Sequence, residues 1–201
     1  MSWIEIISVV LGLSCVFLAY RAKVANFWVG YVYNIFLFIM FAQNHLYSSM
    51  LLQPVSLVIN CIGHYRWTHP GKDESNADGE LKVSQMKWGV RGLFLLGLVA
   101  VAVVWGWFLS QLAIFWPDKF PPAQMPMLDS FVTMMILMAQ YLSAQKRMEC
   151  WFAWLAVNIT NIILYIKAGL VLMPLVSACY LVLAVLGIFR WRQLYKEQKN
   201  A

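Results

Sequence analysis

Charged side chains are scarce in this chain of 201 residues, making up 12% of it against 62% hydrophobic residues. This balance excludes an ordinary soluble domain, in which about a quarter of the residues are charged. No basic residue precedes the first apolar run and no small-x-small site follows it, which excludes a cleaved signal peptide. The sequence therefore predicts an integral membrane protein with an uncleaved first helix.

Cysteine and histidine are also few, and their spacing does not suit cofactor chemistry. The four cysteines form no CxxC pair, and no two of the three histidines stand at helical metal-ligand spacing. No nucleophile with a base and no carboxylate pair falls inside an apolar run. We therefore expect no metal, no cofactor and no enzymatic activity, and cysteines that are reduced and fill space in the core.

Uncharged runs separate the few charges at intervals, and they cover residues 6–20, 24–65, 92–117, 130–145, 150–166 and 168–189. The run 24–65 has room for two crossings with a turn near Asn44–His45, so the chain is predicted to cross the membrane seven times. The predicted spans are about 3–20, 25–43, 46–67, 89–115, 127–144, 149–165 and 170–191.

The distribution of basic residues gives the predicted orientation. Sorting Lys and Arg between alternate loops places 13 on one side and 2, Lys119 and Lys167, on the other. This asymmetry predicts a multi-pass protein with its N-terminus outside and its C-terminus in the cytoplasm. The formal net charge of +6 then follows from topology and contact with membrane lipid, and it requires no nucleic-acid partner.

A polar and aromatic stripe runs along the sixth predicted span. At about 100° per residue, Trp151, Trp154, Asn158, Asn161 and Tyr165 fall on one face of the helix. An asparagine in hydrocarbon is costly unless it finds a partner. The stripe therefore predicts a solute site, and the alternative is that these side chains bond and pack against neighbouring helices.

Further polar side chains stand at membrane depth in spans two, three and five. Pro54 removes a backbone donor beside Gln53 and can loosen the helix there, which makes Gln53 either a solute contact or an interhelical hydrogen bond. The predicted substrate-binding residues are Trp28, Tyr31, Asn34, Gln53, Asn60, Thr133, Trp151, Trp154 and Asn158.

The two halves of the chain share a pattern of residues. Three pairs of like residues are separated by the same 124 positions: Asn34 and Asn158, Gly63 and Gly187, Trp67 and Trp191. Together with the order of spans, this predicts an all-α protein of two parallel three-helix repeats joined by a connector helix. The predicted units are a first repeat at 1–67, then linker, connector helix and outer loop at 68–126, a second repeat at 127–191, and a cytoplasmic tail at 192–201.

Four motifs together resemble the PnuC family of nicotinamide riboside transporters, and the resemblance covers nearly the whole chain. The motifs are Leu46-Tyr47…Leu52-Gln53, Gly63-x-Tyr65-x-Trp67, Leu128-Asp129-Ser130 and, the most specific, Trp151-x-x-Trp154-x-x-x-Asn158. The resemblance implies a 3+1+3 fold, distantly like the SWEET sugar transporters, and a homotrimer in the cell inner membrane. His64 and Pro54 depart from the family's pattern.

The resemblance also implies a function, which is facilitated diffusion of nicotinamide riboside with trapping by a cytoplasmic riboside kinase. Some relatives carry thiamine, riboflavin or deoxynucleosides, so these substrates are alternatives. A membrane sensor without transport is a further alternative. Thiamine-type members tend to carry an acidic residue at the place of Asn158, so this asparagine favours the nicotinamide riboside branch. The residues agree with such a ligand, because indole faces attract cationic rings and carboxamides bond ribose hydroxyls.

Acidic residues are absent from the centres of the predicted spans. Glu5 and Asp129 come nearest, and both stand close to the outer interface. A proton-coupled carrier needs a titratable group at depth, so the sequence favours a uniporter. A sodium site made of backbone carbonyls near Pro54 stays open as an alternative.

Overall fold

The computed structural model describes residues 3–43, 47–76, 78–118, 126–167 and 172–200. Within these ranges the chain forms helices joined by the polar stretch 69–87 and shorter connections, and each predicted span corresponds to one helix. The helices are α1 Trp3–Tyr20, α2 Ala25–Gln43, α3 Tyr47–Thr68, α4 Trp88–Phe115, α5 Pro126–Ala144, α6 Glu149–Lys167 and α7 Leu172–Asn200. Four of them, α1, α2, α4 and α7, are clearly long and apolar enough to cross a membrane. The other three carry most of the polar residues that the sequence singled out.

The helix bounds differ from the predicted spans mainly at the C-terminus. α7 continues as a single helix to Asn200, so residues after 191 extend the last helix rather than leaving it. The predicted turn at Asn44–His45 and the outer loop around Pro121 and Pro122 lie outside the described residues.

Six helices close into a ring. α1 packs against α2, α2 against α3, α3 against α5, α5 against α6, α6 against α7, and α7 back against α1. α4 packs on α5 from outside this ring, where the Ser130 hydroxyl donates a hydrogen bond to the Ala102 carbonyl. This order of contacts places α2 and α6, which carry the two predicted asparagines, at opposite positions of the ring.

The corners from α1 to α2 and from α5 to α6 have the same backbone conformation, 124 residues apart. Ala22 and Lys146 adopt left-handed φ angles of 55° and 51°. Each of these residues, and the residue after it, donates its N–H back into the last turn of the preceding helix, over 2.9–3.0 Å. This is the hydrogen-bond pattern of a Schellman C-cap, which satisfies carbonyls that a helix end leaves free.

Two equivalent tryptophans bond to neighbouring helices of the ring at the end where α3 and α7 approach the polar stretch 69–87. Trp67 of α3 donates its indole N–H to the Ala144 carbonyl at the end of α5, and Trp191 of α7 donates to Ala19 at the end of α1, both over 3.2 Å. Their ring centroids lie 6.0 Å apart. We call this the linker end of the ring, and the tryptophan pair closes it.

The polar stretch after α3 packs against the linker end of the ring. Leu81 and Val83 are each only 3% exposed and belong to the same apolar core as Trp67 and Trp191. Ser84 pairs with the α5–α6 corner, since its N–H donates to the Lys146 carbonyl over 3.1 Å and its carbonyl accepts from Met148 N–H over 2.9 Å. We call residues 81–86 the strap. The sequence predicted a polar linker here and did not anticipate its two buried side chains.

Candidate solute-binding site

Asn34 and Asn158 have the same environment in α2 and α6. Each is 6% exposed, and each donates one side-chain N–H to the carbonyl four residues earlier, Gly30 at 2.9 Å and Trp154 at 2.8 Å. These bonds fix the orientation of both carboxamides. Among the described residues these are the only side-chain hydrogen bonds of the two asparagines, so one N–H and the Oδ1 acceptor of each remain for a solute. Recognition of hydroxyls or an amide needs this capacity.

The two halves differ at the positions that precede these asparagines by one turn. α6 has Trp154 where α2, 124 residues earlier, has Gly30. A Cβ on Gly30 would stand 3.0 Å from Asn60 Nδ2, so the absence of a side chain lets Asn60 lie against α2. One side of the ring therefore offers an indole and a carboxamide, and the opposite side offers two carboxamides.

Trp151 lies in a different environment from Trp154. It is 1% exposed, packs directly on Gly187 and meets Trp191 edge to face at 5.3 Å. Its counterpart Phe27 makes the same contacts with Gly63 and with Trp67, at 5.1 Å. Trp151 therefore forms part of the core at the linker end, and its role as a substrate contact stays a prediction. Its indole N–H is buried without a hydrogen-bond partner among the described residues.

Trp28 and Tyr31 lie together at the edge of the α2–α3 interface. Tyr31 Oη is hydrogen-bonded to His64 Nδ1 at 2.9 Å, and Trp28 stands edge-on to the His64 ring at 4.9 Å. Trp28 is 62% exposed, and it points roughly 120° away from Asn34 around the helix. The structure thus groups these two predicted residues with each other and with His64.

Gln53 and Thr133 are partly buried on α3 and α5. Their chain neighbours Leu52 and Met134 pack with Val157 of α6 in one apolar cluster. This cluster holds α3, α5 and α6 together at one level of the ring. The side chain of Asp129, considered as an outer carboxylate, lies outside the described residues.

Three polar residues inside the bundle were not among the predicted site residues. The hydroxyls of Tyr33 of α2 and Tyr180 of α7 both lie against Gly12 of α1. Gln140 of α5 has a buried Oε1 with no hydrogen-bond partner in the described part of the chain. The position of Tyr33 beside Asn34 was a usable signal, whereas Tyr180 stands in an apolar span that gave none.

A buried cation lies at the linker end. Lys146 is 3% exposed, and its Nζ stands 4.7 Å from the centroid of the Trp67 ring. Burial lowers the pKa of Lys146 below its ordinary value, and the charge of Glu80 opposes this shift. The sequence had counted Lys146 only as a marker of topology. Over the described ranges, no three His, Cys, Asp or Glu side chains group as metal ligands would.

Comparison with known proteins identifies the family. The profile of the nicotinamide mononucleotide transporter family matches residues 2–193. The chain belongs to this family. Its members are membrane transporters, which confirms the resemblance drawn from the four motifs and agrees with a role that is not enzymatic.

Individual relatives cover the chain almost completely. The nicotinamide riboside transporter PnuC of Escherichia coli K12 is 28% identical, across 98% of this chain and 88% of its own. The riboflavin/roseoflavin transporter RibM of Streptomyces davaonensis is also 28% identical, across 94% and 84%. A crystal structure of the vitamin B3 transporter PnuC matches with a TM-score of 0.69 at 25% identity, covering 98% of this chain and 83% of that one. The chain is thus a helical membrane protein of a transporter family whose members carry vitamins.

Proposed function

We propose that this protein takes up nicotinamide riboside across the cell inner membrane by facilitated diffusion. The observation that carries the proposal is the pairing of Trp154 with Asn158 on α6, opposite Asn34 and Asn60 on the far side of the ring. The nicotinamide riboside transporters among the relatives support the same substrate. Uptake into the cell is then made irreversible by a cytoplasmic riboside kinase that phosphorylates the free substrate.

The proposed contacts follow from the chemistry of the ligand. Nicotinamide riboside joins a flat cationic ring to a sugar rich in hydroxyls, and an indole face such as Trp154 attracts a desolvated cation by up to about 2 kcal/mol. Asn158, Asn34 and Asn60 can donate to and accept from the sugar and the carboxamide. Gln53 and Thr133 extend this polar lining. Trp28, Tyr31 and Trp151 are further proposed contacts of the substrate. Each also packs between helices, Trp28 and Tyr31 against His64 and Trp151 against Gly187.

The residue types of the predicted site favour the free riboside over its phosphate. The predicted site residues include no Lys or Arg, and Lys146 lies over Trp67 at the linker end. A buried phosphate needs charged donors to replace its water. The family's description names the mononucleotide, and we propose that this chain discriminates against it.

The architecture proposed for transport is 3+1+3. α1–α3 and α5–α7 form two parallel repeats, supported by the equivalent corners and tryptophan bonds, and α4 is the connector. With the N-terminus outside, the linker end faces the cytoplasm. Release into the cytoplasm then requires separation of Trp67 from Trp191 and displacement of the strap above them. A homotrimer of such units, as the resemblance implies, is part of the proposal.

The binding site is tested by two substitutions and a matched control. Trp154→Ala and Asn158→Ala should abolish binding of nicotinamide riboside to purified protein measured by calorimetry, since loss of a desolvated cation–π contact alone costs up to about 30-fold. Phe152→Ala, on the same helix but 49% exposed, should bind as the wild type does. The mononucleotide should fail to displace bound riboside. Normal binding by both variants would place the site elsewhere.

Riboflavin is the second candidate substrate, favoured by the similarity to RibM. Its flat ring system could also stack on Trp154, but it carries no fixed positive charge. Competition between nicotinamide riboside and riboflavin in the same assay decides between the two candidates. The ligand that displaces the other at the lower concentration binds more tightly and is the substrate.

A further inference from the structure

A recess lies between the strap and the C-terminal part of α7, and it shares no residue with the candidate solute site. It has a volume of about 470 Å³, and its walls are formed by Gln85, Arg192, Tyr195, Lys196, Lys199 and Asn200. That volume falls within the ~300–1,000 Å³ typical of pockets for small ligands. All of its α7 residues follow Trp191, so the recess lies beyond the closed linker end of the ring.

The described residues that line the recess include three cations and no Asp or Glu. Arg192, Lys196 and Lys199 are spaced by four and three residues, which places them on one face of α7. Neither of the two ion pairs between described residues involves any of them. Glu197 stands on the opposite face, where it accepts a hydrogen bond from Gln193 at 2.8 Å. The helix C-terminus favours a cation in its last turn, which explains Lys199 but not the two earlier charges.

The side chains around the recess suit a phosphate group. Arg192 can donate two parallel hydrogen bonds to phosphate oxygens, and the two lysines add point charges against an anion that carries nearly two negative charges at pH 7. Gln85 and Asn200 provide amide groups at the rim, and Tyr195 provides a ring and a hydroxyl. A carboxylate would use fewer of these donors.

We propose that this recess binds a phosphate-bearing anion, either a soluble phosphate monoester or the headgroup of an anionic phospholipid, and that the anion fastens the strap to α7. The two elements already touch, since Val83 N–H donates to Gln198 Oε1 over 3.0 Å. Gln85 comes from the strap and the cations come from α7, so an anion between them adds bonds to both. The proposed solute site uses none of these residues, and either proposal can fail without the other.

The test uses the full-length protein in nanodiscs of phosphatidylcholine. One arm titrates it with adenosine monophosphate by calorimetry, and the other adds phosphatidylglycerol to the nanodiscs and counts retained lipids by native mass spectrometry. Saturable binding is expected in at least one arm, and the arm identifies the source of the phosphate. The triple variant Arg192→Gln/Lys196→Gln/Lys199→Gln should bind at least about tenfold more weakly, because charge-assisted hydrogen bonds are lost.

A variant with the same loss of charge is the control. Arg21→Gln/Lys23→Gln/Lys72→Gln removes three exposed basic groups outside the recess and should bind as the wild type does. Hydrogen exchange of strap amides should slow when the anion binds to wild type, but not to the recess variant. Both variants should still bind nicotinamide riboside. Absence of saturable binding in both arms, or equal weakening in the two triple variants, would overturn the proposal.

Discussion

At the scale of single residues, Gly187 shows how closely α6 and α7 approach. A Cβ at this position would overlap the ring of Trp151, and the flat ring packed between two helices has little room to shift. We expect Gly187→Ala to destabilise the protein by about 1–3 kcal/mol, as overpacking of a core does. Gly97→Ala is the control, because nothing lies within 4 Å of its new methyl group and α4 gains helix propensity. Equal thermal unfolding of the two variants in detergent would contradict the close packing.

Lys146 predicts a dependence of stability on alkaline pH. Its folded pKa is lowered by burial, whereas the unfolded chain keeps the ordinary value of 10.5. In the window below 10.5 the unfolded chain therefore binds more protons, and stability should rise with pH as the folded lysine becomes neutral. Lys146→Met keeps the apolar stem over Trp67 and should flatten this rise, whereas Lys23→Met, at an exposed site, should not. The measurement is the unfolding temperature between neutral pH and about pH 10, and identical slopes in all three proteins would refute it.

Helical periodicity could predict which residues share a face of a helix, but not which side chains of other helices they contact. Trp151 and Trp154 fall on one face of α6 by spacing, yet Trp151 is packed against Gly187 while Trp154 is only partly buried beside the core. The difference depends on a glycine 36 positions away in the sequence. Asn60 is similar, because its position against α2 depends on the missing side chain of Gly30.

At the scale of elements, the strap is expected to move during transport. Ser84→Cys and Arg147→Cys place thiols on two residues paired across a β-bridge, a spacing at which a disulfide forms without large strain. In a background without the native cysteines, oxidation should stop flux into liposomes while binding of nicotinamide riboside persists, and reduction should restore the flux.

The control is a cross-link between two positions that both lie in the polar stretch 69–87. Glu74→Cys and Lys82→Cys join neighbouring backbones that already share a hydrogen bond of 2.8 Å, without tying the strap to the α5–α6 corner. Flux through this variant should survive oxidation. Unchanged flux in the oxidised Ser84–Arg147 variant would mean that the strap stays in place while substrate passes.

The helices could be predicted well and the strap could not. A helix in a membrane satisfies its own backbone, so an uncharged run of sufficient length is enough to locate it. Leu81 and Val83 alternate with polar residues over too short a stretch to indicate burial. They are buried because they pack in the core that contains Trp67 and Trp191, which lie far from them in the sequence. The recess beside α7 depends on the same docking.

At the scale of the whole molecule, purified protein in liposomes should equilibrate nicotinamide riboside without concentrating it, whatever proton or sodium gradient is imposed. A coupled carrier needs an ion site whose occupancy biases its two access states. The predicted site residues are uncharged, and Glu149, the carboxylate at the start of α6, is already paired with Arg91 at 2.7 Å. Accumulation well above the outside concentration in liposomes without kinase would refute uniport and leave the fold unaffected.

The two tryptophan bonds at the linker end make the halves of the ring mutually dependent. Trp67 finds its acceptor on α5 and Trp191 finds its acceptor on α1, so neither set of three helices can satisfy its own indole. A half-length chain of this design would have to pair with a second copy of itself to make both bonds. In the proposed two-repeat architecture the chain therefore keeps the reciprocity of a symmetric dimer, although Gly30 and Trp154 stand at equivalent positions of the two halves and differ.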